Sequence, residues 1–134
     1  MEILNAKITS VSISMADHGC LTFWITIKGC GWGCSIGGYS IGHGYLGAHT
    51  FQGYAPGTEA MMRIMDTVGV DRWEDLKEKY IRVKTDNGWG SPITKIGNIT
   101  EDKWFDIDAF FKSKAKQNDP QSCLKDLSAK ENKK

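Results

Sequence analysis

Apolar and polar residues alternate through most of the first half of the chain. Between residues 3 and 15, Val11, Ile13 and Met15 share one parity while Ser10, Ser12 and Ser14 take the other, the period of a half-buried strand. Ile8 falls out of that phase, which predicts a bulge near Thr9. Asp17-His18-Gly19 reads as a turn. In Leu21–Lys28 the apolar set is Leu21, Phe23, Ile25 and Ile27, and the opposite set is Thr22, Trp24, Thr26 and Lys28. A two-residue hairpin at Gly29-Cys30 would set Ile27 against Trp32, Ile25 against Cys34 and Phe23 against Ile36. That register leaves one face wholly apolar and turns Cys34 inward. Residues 29–57 hold 10 of the 15 glycines, and a strand breaking into a long loop over Ile41–Thr50 is expected there.

The second half changes period. Thr58 is a candidate cap for a helix ending at Gly69, with Met61, Ile64, Met65 and Val68 as its apolar stripe. Asp71-Arg72-Trp73-Glu74 has capping-box spacing and predicts a second short helix to about Lys79. Tyr80–Thr85 reads as a strand with Ile81 and Val83 inward, Asp86-Asn87-Gly88 as a turn, and Pro92–Ile99 as an edge strand. A last helix, capped by Asp106 or Asp108, follows Trp104 and Phe105. The expected fold is α+β: an antiparallel sheet of about five or six strands, with two or three helices on one face. One domain is expected over residues 1–112, followed by a Lys-rich, mobile tail over 113–134.

Charge refines this division. Residues 1–111 carry 10 Lys/Arg and 13 Asp/Glu, a net −3; residues 112–134 carry 7 Lys and 3 acids, a net +4. A nucleic-acid binder concentrates basic charge on its folded surface, so the sum argues against direct nucleic-acid binding. No stretch approaches the roughly 18 apolar residues of a membrane span, and no signal-peptide pattern opens the chain, so a cytoplasmic protein is expected. Four cysteines in that setting suggest free thiols or a metal site.

Cys30, Cys34, His43 and His49 are the candidate zinc ligands, two thiols and two imidazoles in a Gly-rich segment, with His18 and Cys20 as secondary candidates. Geometry limits the idea. Four residues of extended strand span about 13 Å, against roughly 4 Å between two thiolates on one zinc, so Gly31-Trp32-Gly33 would have to turn. The alternative is a buried core thiol at Cys34 and loop histidines. Cys34 with His43 or His49 could also serve a cysteine- or metal-dependent hydrolase, although no elbow or oxyanion-hole motif accompanies them. No catalytic residues are assigned. Arg63, Arg72 and Arg82 are the only candidates for a pocket that sequesters a nucleotide. Trp24, Tyr39, Tyr45 and Trp89 sit beside small or turn residues and are the candidate binding surface, with second-layer core as the alternative for Trp24.

Taken together, Asp17-His18-Gly19-Cys20-Leu21-Thr22, Gly31-Trp32-Gly33-Cys34, Gly42-His43-Gly44-Tyr45-Leu46-Gly47 and the run Met61–Val70 resemble a family of short phage and prophage proteins without assigned chemistry. The resemblance spans Ile8 to Phe111; the Lys-rich tail departs from shorter members. It implies a setting and no catalytic residues. Small phage proteins of this kind are often inhibitors of host defence, including anti-CRISPR proteins that bind a Cas9-type effector with or without guide RNA, and some are nucleotide sponges. The expectation is a cytoplasmic, non-enzymatic inhibitor of a Cas9-type effector that blocks DNA binding or cleavage, with a zinc ion shaping its loop.

Overall fold

The computed structural model describes residues 2–17, 19–45, 50–85 and 93–117. Strands β1 (Glu2–Asp17), β2 (Cys20–Gly29), β3 (Trp32–Tyr45) and β4 (Thr50–Gly53) precede helix α1 (Ala55–Val68). A 3-10 turn (Trp73–Leu76), strands β5 (Tyr80–Thr85), β6 (Lys95–Asn98) and β7 (Trp104–Asp106) and helix α2 (Ile107–Gln117) complete it. All strand pairs are antiparallel, in the order β4-β3-β2-β1-β5-β6-β7. The α+β class is as expected; among the described residues the sheet has seven strands, more than five or six, and there are two α-helices. Among the described residues no helix is long and apolar enough to cross a membrane.

The long strands account for the breadth of the sheet. Thr9 is the extra residue in β1, because Ile8 pairs with Ile27 and Ser10 with Thr26. The bulge lets Ala6 and Ile8 before it and Val11 and Ile13 after it share the inward face, with Ser10, Ser12 and Ser14 outward. The β2–β3 hairpin turns at Cys30-Gly31, one residue later than the expected Gly29-Cys30. Gly31 supplies the positive φ of 78° that the turn needs. Ile27 therefore faces Cys34 and Ile25 faces Ile36, while Gly29 faces Trp32, whose indole packs over it. The slip is an even one, so the side chains up to Ile36 keep their expected faces; further on, Gly38 and Ile41 are extra residues in β3, and the first turns Tyr39 to the Phe23 side.

The expected Ile41–Thr50 loop is corrected in part. Ile41–Tyr45 continue β3, held between β2 and β4, and the expectation for residues 46–49 lies outside the described residues. Gly42 and Gly44 are strand glycines: a Cβ there would come within 2.9 Å of the Gln52 carbonyl oxygen and within 2.4 Å of that of Thr50. Pro92–Ile99 is corrected as well. Its described part, β6, pairs on both sides, so β7 is the edge. The Asp86-Asn87-Gly88 turn lies outside the described residues.

Helix α1 starts at Ala55, and its N-cap lies four residues before the expected cap Thr58. Tyr54 stands at its N-cap without a side-chain cap, Pro56 occupies its first turn, and Gly69 closes it in the left-handed conformation at φ 95°. The capping box at Asp71 does not form; Arg72 is the N-cap, and one 3-10 turn replaces the second helix. Asp106 caps α2 by accepting the Ala109 N–H at 3.0 Å. The helix continues through 113–117, past the expected start of the tail. The core fills the space between one sheet face and the helical layer: Ile8, Phe23, Ile25, Ile27, Ile36, Ile81, Val83 and Ile96 from the strands, with Ile64, Leu76 and Ile107.

Candidate functional site on the open face of the sheet

The helical layer covers the inward face, and no described element covers the other. Alternation and register specify what that open face carries. On β2 it presents Lys28, Thr26 and Trp24; on β5 it presents Tyr80, Arg82 and Lys84. Lys7 joins Lys28 to Tyr80 by pairing with both, and Arg82 pairs with Gly97, which pairs with Trp104.

Each aromatic is seated by a small residue or a cation. Trp24 packs over Gly38, where a Cβ would lie 2.9 Å from its ring, and remains 41% exposed. Trp104 covers Gly97, where a Cβ would come within 2.6 Å of the indole. The Lys84 Nζ stands 4.2 Å from the Trp104 ring centroid and the Arg82 guanidinium 4.9 Å from it. Arg82 is held by backbone carbonyls: its Nε donates to Asn98 O and its Nη2 to Glu101 O, both at 2.7 Å. Tyr80 is 58% exposed, with Lys7 Nζ 5.8 Å from its ring centroid.

Charge is divided between the two sides. Among the described residues no carboxylate pairs with Lys28, Arg82 or Lys84. Lys7, also on this face, is bound to Glu78 at 2.8 Å, which raises the Lys7 pKa and lowers that of Glu78. On the helical side ion pairs join Arg63 and Lys114 to Glu59, Arg72 to Glu74 and Asp75, Lys103 to Asp66 and Lys112 to Asp108. The net −3 of residues 1–111 thus conceals a cluster of cations on the open face.

Among the described residues, the expected site residues do not converge. Of the candidate binding surface, Trp24 is on the open face. Tyr39 points the opposite way, stacked on Phe111 of α2 with ring centroids 4.5 Å apart; burial and the neighbouring Asp108 and Asp106 push its pKa up to about 12. The Tyr45 side chain and Trp89 lie outside the described residues. Of the metal candidates, Cys30 is exposed in the hairpin turn, and Cys34 is half-buried on the helical side opposite Ile27. His43 pairs with Cys20, on the open side. Gly33 and Cys34 are extended strand, so the turn that Cys30 and Cys34 would need to share a zinc is not made. His18 and His49 lie outside the described residues, and among the rest no three His, Cys, Asp or Glu side chains could hold a metal ion.

The hydrolase pairing of Cys34 with His43 is divided by the sheet, and burial raises the Cys34 pKa, the wrong direction for a thiolate nucleophile. The three arginines expected to gather round a nucleotide are also apart: Arg63 and Arg72 are tied to carboxylates on the helical side, and Arg82 is on the open face. A groove of about 800 Å³ beside the 3-10 turn holds Arg72, Lys77 and Lys79 together with Asp71, Glu74, Asp75 and Glu78, no basic cradle for phosphates.

No family model, curated protein or solved structure matches this chain. The site is therefore read from its own residues. Sequence reasoning found Trp24 and missed Lys28, Tyr80, Lys84 and Trp104. The signal for the β5 members was present in the alternation that sent Ile81 and Val83 inward; Trp104 needed the β6–β7 pairing.

Proposed function

We propose that this protein acts by binding, without turnover, and that the open face of the sheet is its working surface. The observation that carries the reading is the asymmetry of the two faces. One is sealed by α1, α2 and the 3-10 turn over a continuous apolar core, and the other presents exposed Trp24 and Tyr80 beside Lys28, Arg82 and Lys84, which no carboxylate among the described residues neutralises. A stable fold does not need such a surface, since exposed Trp and Tyr gain nothing from water and unpaired cations repel one another.

The resemblance to short phage and prophage proteins supplies the setting. In it the chain is an inhibitor of a bacterial defence system, acting in the host cytoplasm on a Cas9-type effector, with or without guide RNA, by blocking DNA binding or cleavage. The segregated charge suits a target that handles nucleic acid, because such a target offers both basic channels and bound polyanion. Pull-down of a Cas9-type effector on the immobilised chain tests it. Capture in the apo or guide-loaded form, lost on Trp24→Ala, supports the proposal; no capture of either form removes the effector from it.

A further inference from the structure

We infer that the open face binds single-stranded nucleic acid directly. The inference rests on the reading of this face as the working surface and is independent of which effector is the target. It starts from a track. Trp24, Lys28, Tyr80, Arg82, Lys84 and Trp104 follow one another diagonally across β2, β1, β5, β6 and β7. Four strand spacings across and about six residues along give a path of roughly 25–30 Å. That is long enough for a few extended nucleotides, and the ends of the path are its two indoles.

Three features select this ligand. Lys28, Arg82 and Lys84 have no described carboxylate partner, so their charge is left for phosphates, that of Arg82 through the N–H groups it does not give to Asn98 O and Glu101 O. Trp24 and Tyr80 are 41% and 58% exposed, stacking platforms that an unpaired base can use and a duplex cannot. Ser12 and the Thr26–Ser35 hydroxyl pair, 3.3 Å apart, flank Trp24 and Lys28; Ser12 and one hydroxyl of the pair can donate to phosphate or base edges. An acidic protein surface would satisfy the cations and leave the aromatics unused. The ion pair of Lys7 with Glu78 lies on the track and lowers its charge by one cation.

The test is fluorescence anisotropy of the full chain with labelled oligo-dT and oligo-U of about 12 nucleotides, beginning at about 50 mM salt. Micromolar binding is expected, with log Kd rising against log salt at a slope of about 2, from three phosphate contacts at roughly 0.7 each. Trp24→Ala should weaken binding roughly ten-fold through the lost stacking. The double variant Lys28→Ala/Lys84→Ala should cut the slope by about 1.4. Trp24 and Lys28 are exposed and Lys84 is half-buried over Trp104, and melting curves of both variants report whether folding is retained. Absence of binding to either oligonucleotide overturns the inference. So does binding that these variants leave unchanged, or that is lost only when Lys125, Lys130, Lys133 and Lys134 of the tail become Gln. Effector capture without oligonucleotide binding would leave the proposed function standing and this inference refuted; the reverse result would refute the effector alone.

Discussion

Gly57→Ala is the sharpest test of how α1 is seated on the sheet. Gly57 is buried in the first turn of α1, and its φ is not in the left-handed region, so its backbone admits alanine. Space does not. A Cβ at this position would lie 2.2 Å from the Ser40 carbonyl oxygen, 2.6 Å from Ile41 Cα and 2.7 Å from Ile41 Cγ2. Two of those atoms are β3 backbone and cannot rotate away, so the helix must retreat by about 1 Å to restore ordinary contact. Overpacking of this kind costs about 1–3 kcal/mol. Up to about 1 kcal/mol returns as helix propensity, less in a first turn. A net loss of about 1–2 kcal/mol follows, or about 3–8 °C in Tm for a chain of this length. Retreat would also loosen Ala60, Ile64 and Thr67, the other buried residues of α1. Urea denaturation followed by circular dichroism measures the loss. Gly53→Ala is the control, since nothing lies within 4 Å of its Cβ position, and it should stay within about 0.5 kcal/mol of wild type. A Gly57→Ala protein as stable as the parent would refute the close approach.

Gly97→Ala should displace Trp104, whose ring lies 2.6–2.8 Å from the added Cβ; near-ultraviolet circular dichroism should lose indole signal, and stability should fall by about 1–2 kcal/mol. Tyr39 has a folded pKa of about 12 against 10.0 when free, so its contribution is complete below pH 10 and is lost as pH rises toward 12. Tyr39→Phe should remove that alkaline component, and an unchanged pH–stability curve between 10 and 12 would count against the buried phenol. Thiol labelling of the native protein, read by peptide mapping, should modify exposed Cys30 well before Cys34, whose pKa burial raises; equal rates would contradict the inward placement of Cys34.

The sheet was legible where local chemistry and parity agree. The phase break at Ile8 indicated the Thr9 bulge, and Gly69 marked the end of α1, because both are decided within a few residues. The hairpin was one residue early because Gly29 and Gly31 are both able to turn; packing of Trp32 over Gly29 chooses between them, and that is a cross-strand contact. Glycines that looked like loop were strand for the same reason: Gly42 and Gly44 are small because β4 approaches them, a fact of pairing that no window of sequence contains. The capping box at Asp71 was outweighed by the docking of Trp73 against Phe23, edge-on at 5.6 Å. The candidate site suffered most. Net charge was summed along the chain, while the chemistry depends on which face each charge occupies.

Titration of the uniformly 15N-labelled protein with oligo-dT, read at the tryptophan indole resonances, bears most directly on the claim that the two faces have different tasks. Trp24 and Trp104 should shift with increasing oligonucleotide while Trp73, packed under the helical layer, stays in place. Movement of Trp73 with Trp24 and Trp104 unmoved, or no movement of any indole, would contradict the account.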